Sequence, residues 1–137
     1  MFELLTVGCE NIIYEIEQNL FLNYWDLNSI QYYIEKNKVL SYKIDKKIVA
    51  YLIFDIIIDE VEIFRIGVLP EFQNQGIGKL LINQIKKING IKKIILEVSS
   101  KNSKALVFYK NLNFNVVGIR KNYYGIGNDA YLMDLVL

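Results

Sequence analysis

The stretch Gln73-Asn74-Gln75-Gly76-Ile77-Gly78 has residue types and spacing that could hold an anion. Before it, Val61 to Val68 reads as an apolar, partly β-branched strand, followed by the turn Leu69-Pro70-Glu71. After it, Lys79 to Asn89 places Leu80, Leu81, Ile85 and Ile88 at helical spacing. The two glycines thus sit where a strand and turn hand over to a helix N-terminus. Backbone N–H groups there lack intrahelical partners and the helix dipole is positive. Glycine has no Cβ, so a phosphate can approach the main chain closely. The same spacing also suits a connecting turn that uses glycine for geometry alone. A Walker loop is excluded, because Gly78-Lys79 is followed by Leu80 and the upstream glycine is missing. A dinucleotide fingerprint is excluded because Leu81 stands where its third glycine belongs. A pyrophosphate held by backbone alone fits.

A second candidate is Glu97 in the strand Ile94-Ile95-Leu96-Glu97-Val98. Side chains alternate between faces, so Glu97 shares a face with Ile95. If that face is packed, half-buried surroundings would make the carboxylate a better base at neutral pH. The alternative is a solvated carboxylate near a strand end, paired with a nearby lysine. Tyr109 falls on the inward stripe of the next helix, the ordinary place for a core aromatic, and Asn102 or Ser103 reads as that helix's N-cap. Glu62 could relay through water or pair with Arg65, and pairing is the favoured reading.

The elements that must position these groups follow in order. Met1 to Val7 reads as an edge strand, and Asn11 to Leu20 as a helix with Ile12, Ile13, Ile16 and Leu20 on one stripe. Asn28 or Ser29 caps a second helix through Lys36, with Ile30, Tyr33 and Ile34 inward. Between the two helices, Leu22-Asn23-Tyr24-Trp25-Asp26 is an aromatic connection, suited to binding or to a lid on the core. Val39 to Ile44 and Ile48 to Ile58 form a hairpin across Asp45-Lys46-Lys47, and an acidic turn at Asp59-Glu60 leads to the third strand. Gly90 closes the phosphate-loop helix. A helix carrying Leu106, Tyr109 and Leu112 precedes a final antiparallel pair, Val116 to Arg120 and Ala130 to Leu135. The expected fold is α+β: a mixed, mostly antiparallel central sheet flanked by about four helices in the order β-α-α-β-β-β-α-β-α-β-β. Residues 1–137 suit a single domain with one core.

At 53% hydrophobic and 23% charged, the chain reads as globular. Sixteen basic against fifteen acidic residues leave a net charge of +1, so no basic field exists to recruit nucleic acid directly. The one cysteine, Cys9, reads as a small buried hydrophobe and suits a reducing cytosol. With no histidine, His-based triads and His-ligated metal sites are excluded. Met1-Phe2-Glu3-Leu4-Leu5 lacks the features of a signal peptide, and no apolar run approaches the ~18 residues of a membrane span. The expectation is a soluble cytoplasmic protein.

Gln73-x-x-Gly76-x-Gly78 after a strand and turn resembles the acyl-CoA loop of the GNAT superfamily of N-acetyltransferases. Leu96-Glu97-Val98, Asn102, Tyr109, Asn113-Phe114, Arg120-Lys121-Asn122-Tyr123-Tyr124 and Asp129-Ala130 follow in the order of one branch. That branch is the bacterial ribosomal-protein-alanine N-acetyltransferases, which modify protein N-termini. The resemblance runs from about Asp59 to the C-terminus. It implies acetyl-CoA as co-substrate, no metal, Glu97 as proton acceptor and Tyr109 as the acid that meets the departing thiolate. It implies that the backbone of Ile66-Gly67-Val68 holds the pantetheine arm and the thioester carbonyl. A bulge there would free N–H groups, and Gly67 would suit close approach. Gln73, Asn74, Gln75, Gly76, Ile77, Gly78 and Lys79 would take the pyrophosphate, with Lys79 at the rim, and Asn102 would touch CoA. Tyr24, Trp25, Tyr123 and Tyr124 would receive a protein N-terminus, on a ribosomal or other cytosolic protein, with the enzyme a monomer or weak dimer.

Several residues depart from the branch pattern. Tyr24 stands where a proline usually precedes the tryptophan, Ser99 replaces an arginine and Arg65 a common asparagine. Asn113 replaces a glycine, and asparagine tolerates the left-handed conformation best. The function implied is transfer of acetyl to a protein α-amine by direct attack in a ternary complex. The alternatives are a GNAT acting on lysine or small amines, and a silent CoA-binding module.

Overall fold

Seven consecutive buried residues, Ile48 to Phe54, mark the strand that is covered on both faces. The computed structural model describes Met1–Leu4 and Gly8–Leu137. Its strands are β1 (Phe2–Leu4), β2 (Val39–Ile44), β3 (Lys47–Ile57), β4 (Glu60–Val68), β5 (Lys93–Ser99), β6 (Asn115–Arg120) and β7 (Ala130–Val136). They form one sheet in the order β1-β2-β3-β4-β5-β7-β6. The helices are α1 (Glu10–Leu20), α2 (Leu27–Glu35), α3 (Ile77–Lys86) and α4 (Ser103–Asn111), with a 3-10 turn at Pro70–Phe72. This is the mixed α+β sheet that the sequence leads one to expect. β1 is the expected edge strand as far as Leu4, and Leu5 to Val7 lie outside the described residues.

One compact unit comprises Met1–Asp55 and Phe64–Lys87. In it α1 packs on α2, and α3 lies against β2. Ile13, Ile16, Ile30, Ile34, Leu81, Ile82 and Ile85 are buried. The inward stripe of α1 is Ile13, Ile16 and Glu17, while Ile12 is 45% exposed. The cap of α2 is Asp26, whose Oδ1 accepts from the Ser29 N–H (2.7 Å), in place of Asn28 or Ser29. The β2–β3 turn places Asp45 (φ 50°) and Lys46 (φ 68°) both in the left-handed region, the geometry of a two-residue hairpin turn.

The α3 helix starts and stops earlier than its apolar spacing suggests. Gly76, at φ 82°, turns the chain into the helix, so Ile77 is already its first buried residue. Leu80 faces out and Ile82 faces in. The helix ends at Lys86, and Gly90 (φ 83°) serves the turn before β5 rather than the helix end.

The other unit comprises Ile56–Ile63 and Ile88–Leu137. Its entry turn is Ile58-Asp59, with Ile58 at φ 60°, and Glu60 already belongs to β4. β5 alternates, burying Ile94, Leu96 and Val98, and pairs antiparallel with β7 along its whole length. Parallel pairing of β4 with β5 covers only Glu60↔Lys93 to Glu62↔Ile95. The remainder of β4, Ile63–Val68, lies beyond that pairing. Among the described residues no helix is long and apolar enough to cross a membrane.

Candidate active site

The end of β4 and the start of α3 carry the residues expected to hold a cofactor. The Gln73 side-chain amide donates to Val68 O (2.9 Å), and that of Gln75 to Glu71 O (3.2 Å). Both glutamines brace the loop through main-chain carbonyls. Asn74 (φ 61°) and Gly76 (φ 82°) both take the left-handed region, which curls the backbone between them. The first bond into the helix runs from Leu80 N–H to Gly76 O (3.1 Å), and no side chain caps this end. The amides of Ile77, Gly78 and Lys79 therefore have no acceptor within the helix. With the exposed Lys79 beside them, they form a positive, hydrogen-bond-donating cradle that suits a pyrophosphate.

Gly67 also has a packing reason to be glycine. A Cβ there would meet the Tyr51 ring at 2.7 Å, so the glycine leaves room for a buried tyrosine of the neighbouring strand β3. Asn102 is the α4 cap, its Oδ1 accepting from Ala105 N–H (3.1 Å), and its exposed side chain keeps an amide group to spare.

In the other unit, the face of β5 that carries Lys93, Ile95, Glu97 and Ser99 is the half-buried one. Glu97 is half-buried, and its ion-pair partner is an arginine rather than a lysine. Its Oε1 lies 3.3 Å from the Arg120 guanidinium on β6, and Arg120 also sits over the Tyr123 ring at 5.3 Å. Arg120 thus ties the carboxylate to the β6–β7 loop. That loop is itself fastened: Asp129 Oδ1 accepts from Asn122 N–H (2.9 Å), and Asn122 Oδ1 from Gly127 N–H (2.9 Å). Ser99 hydrogen-bonds Asn128, and Ser100 N–H donates to Asp129 O (2.8 Å). Tyr123 and Tyr124 pack edge to face and stay 56% and 45% exposed. Tyr109 is buried against Phe114 and Phe108. Its hydroxyl has no hydrogen-bond partner among the described residues, yet it is not sealed in. Burial pushes the phenol pKa well above its ordinary value, so the group stays neutral and can donate a hydrogen bond.

The α1–α2 connection divides its two aromatics. Tyr24 is exposed and edge-on to Tyr14, while Trp25 packs half-buried on Tyr33 and Phe64. Beneath the connection Glu17 is fully buried. It accepts from the Tyr51 hydroxyl (2.5 Å), Arg65 Nε (2.9 Å) and Trp25 N–H (3.1 Å). Arg65 therefore pairs with Glu17.

A profile of the acetyltransferase (GNAT) domain matches residues 34–116. The ribosomal protein bS18-alanine N-acetyltransferase of Haemophilus influenzae is 35% identical over 117 residues, 82% of this chain and 79% of that one. That of Haemophilus ducreyi is 34% identical over 146 aligned residues, spanning 100% of both chains. The chain belongs to the GNAT acetyltransferase family. The crystal structure of the ribosomal-protein-S18-alanine N-acetyltransferase from Escherichia coli superimposes with a TM-score of 0.88 at 27% identity, covering 99% of this chain and 92% of that one. The fold is the GNAT fold, and the protein is an N-acetyltransferase.

Two residues of this GNAT enzyme escaped the sequence reading. Glu17 lies at the inward position next to Ile16, and an acid on an otherwise apolar stripe was the available signal. Arg120 was visible only as part of a motif, because its pairing with Glu97 spans β7 and depends on the β5–β7–β6 strand order.

Proposed function

We propose that this GNAT enzyme transfers acetyl from acetyl-CoA to the N-terminal α-amine of a ribosomal protein, in the cytoplasm, as a single domain. The observation that carries this reading is the full-length likeness to enzymes named for the alanine of ribosomal protein bS18. The pyrophosphate rests on the amides of Ile77 to Lys79. The amides of Ile66 to Val68, beyond the β4–β5 pairing, hold the pantetheine arm and the thioester carbonyl. Asn102 adds a contact from the start of α4. Tyr24, Trp25, Tyr123 and Tyr124 receive the acceptor.

A free α-amine has a pKa of about 7.7–8.0, so much of it is already near deprotonation at neutral pH and a carboxylate base suffices. Glu97 takes the ammonium proton, directly or through one water. The amine then attacks the thioester carbon, and the oxyanion that forms is met by main-chain N–H groups. The C–S bond breaks, the electron pair leaves on sulfur, and the acylated nitrogen loses its second proton to solvent water to give the neutral amide. The neutral Tyr109 hydroxyl, which has no other hydrogen-bond partner among the described residues, donates a hydrogen bond to that thiolate. Hydrogen-bond stabilisation of the sulfur fits this buried phenol better than early release of its proton.

Initial rates of CoA release, with a peptide bearing a free N-terminal alanine, test these roles. Glu97→Gln lowers kcat by roughly 10²–10⁴-fold, the ordinary worth of a general base, with acetyl-CoA affinity kept. Tyr109→Phe lowers it by roughly 10²-fold, the worth of one lost transition-state donor. Wild-type turnover in both variants would remove the assignments. Tight CoA binding with no turnover on any amine would instead describe a silent module.

A further inference from the structure

We propose that Glu17 is a positioning residue that, through Arg65, fixes the α1–α2 connection in the shape that receives the acceptor peptide. The inference rests on the reading of that connection as the acceptor surface.

Three contacts fall on alternate residues of the connection. The Arg65 guanidinium carbon lies 4.0 Å from the centroid of the Phe21 ring. Its Nη2 donates to Asn23 O (2.7 Å). Trp25 N–H donates to Glu17 Oε2 (3.1 Å). The residues between them face outward: Leu22 is fully exposed and Tyr24 is 44% exposed. A chain held at every second residue in this way projects the side chains in between, here an apolar one and an aromatic one. Glu17 and Arg65 hold each other in turn through Nε contacts to both carboxylate oxygens (2.9 and 3.2 Å). The Tyr51 hydroxyl fills the remaining side of the carboxylate, and Gly67 leaves room for the Tyr51 ring.

A buried ion pair is poor value as a stabiliser, since apolar residues of similar volume serve as well or better. What the pair provides is geometry. It orders the connection before the acceptor arrives, so binding does not bear that ordering cost. Loosening it weakens acceptor binding while leaving the acetyl-transfer chemistry alone.

Trp25 is the only tryptophan, so its emission reports the state of the connection directly. The measurements are Trp25 emission and acrylamide quenching, acetyl-CoA affinity by calorimetry, and KM and kcat for a peptide with a free N-terminal alanine. They are made on Glu17→Gln and on the milder Arg65→Lys, which keeps the charge and guards against a variant that does not fold. In both, Trp25 emission shifts to the red and quenching rises. Acceptor KM rises about tenfold, kcat stays within about twofold, and acetyl-CoA affinity is unchanged. Tyr51→Phe, which removes a bond to the same carboxylate without touching the connection, leaves Trp25 and KM as they are.

Unchanged Trp25 signals in both Glu17→Gln and Arg65→Lys overturn the proposal. A changed Trp25 signal with unchanged KM overturns it too, and shows that the connection is pinned but does not bind the acceptor. If wild-type protein acetylates no N-terminal peptide, the functional reading fails by itself, and the proposal falls with it whatever Trp25 reports.

Discussion

Gly67→Ala separates two reasons for a glycine near the end of β4. If the residue is small so that a cofactor can approach, alanine leaves folding intact and weakens acetyl-CoA binding. The structure gives the other reason, because the new Cβ would sit 2.7 Å from Tyr51 Cε1, 2.7 Å from Oη and 2.8 Å from Cζ. Ordinary contact begins near 3.4 Å, so the ring must retreat by 0.6 to 0.7 Å. Tyr51 is fully buried and its hydroxyl is fastened to Glu17, so it has little room to do so. Overpacking of this kind costs about 1–3 kcal/mol. Displacing the hydroxyl adds about 1.5–3 kcal/mol for a hydrogen bond to a charged group. The expected total is about 3–5 kcal/mol, a large part of the ~5–15 kcal/mol that holds a domain folded. With a mid-range urea slope of about 2 kcal/mol per molar, the midpoint falls by roughly 1.5–2.5 M. Equilibrium urea unfolding followed by circular dichroism reads this directly. Pairing with Tyr51→Leu recovers part of the loss, because the two sites share one space. A midpoint within about 0.3 M of wild type, together with lost acetyl-CoA affinity, would refute the packing account and restore the cofactor one.

The remaining predictions concern the helix cap and the buried phenols. Asn102→Ala removes the acceptor of the Ala105 N–H and lowers stability by about 1 kcal/mol, visible as a fall of a few degrees in thermal unfolding. Of the ten tyrosines, Tyr51 and Tyr109 are held neutral by burial, which raises both pKa values above their ordinary level. A raised native pKa means that the folded state keeps its proton longer than the unfolded chain does. Their contribution to stability is therefore complete below about pH 10 and declines above it, at about 1.4 kcal/mol per pH unit for each group. Ultraviolet titration checks this, with Tyr51 and Tyr109 among the phenols that stay silent until the fold gives way. Smooth ionisation of all ten by pH 11 in folded protein would contradict the placement of both.

Much of the fold was legible because its signals are local. The hairpin, the β5 alternation and the α4 cap at Asn102 follow from period, turn chemistry and side-chain oxygen. The limits of α3 were not, because Gly76 acts through a positive φ that apolar spacing does not reveal. The candidate site was legible as far as placement goes, with Gln73 to Gly78 at the start of α3, Glu97 on β5 and Tyr109 on α4. It was not legible where one residue answers another across the fold. Gly67 answers to Tyr51, Arg65 to Glu17, and Arg120 to Glu97, each pair set by packing or strand order rather than by sequence spacing.

The most direct test of the central claim is mass spectrometry of acetyl-CoA reactions on matched peptides. One set begins with a free Ala, Ser or Met, the second has the same sequences with blocked N-termini and an internal Lys, and polyamines make a third. Acetyl added only to the free N-termini, and best to the alanine peptide, is the result expected. Acetylation of blocked peptides or polyamines at equal or greater rates would contradict the α-amine assignment.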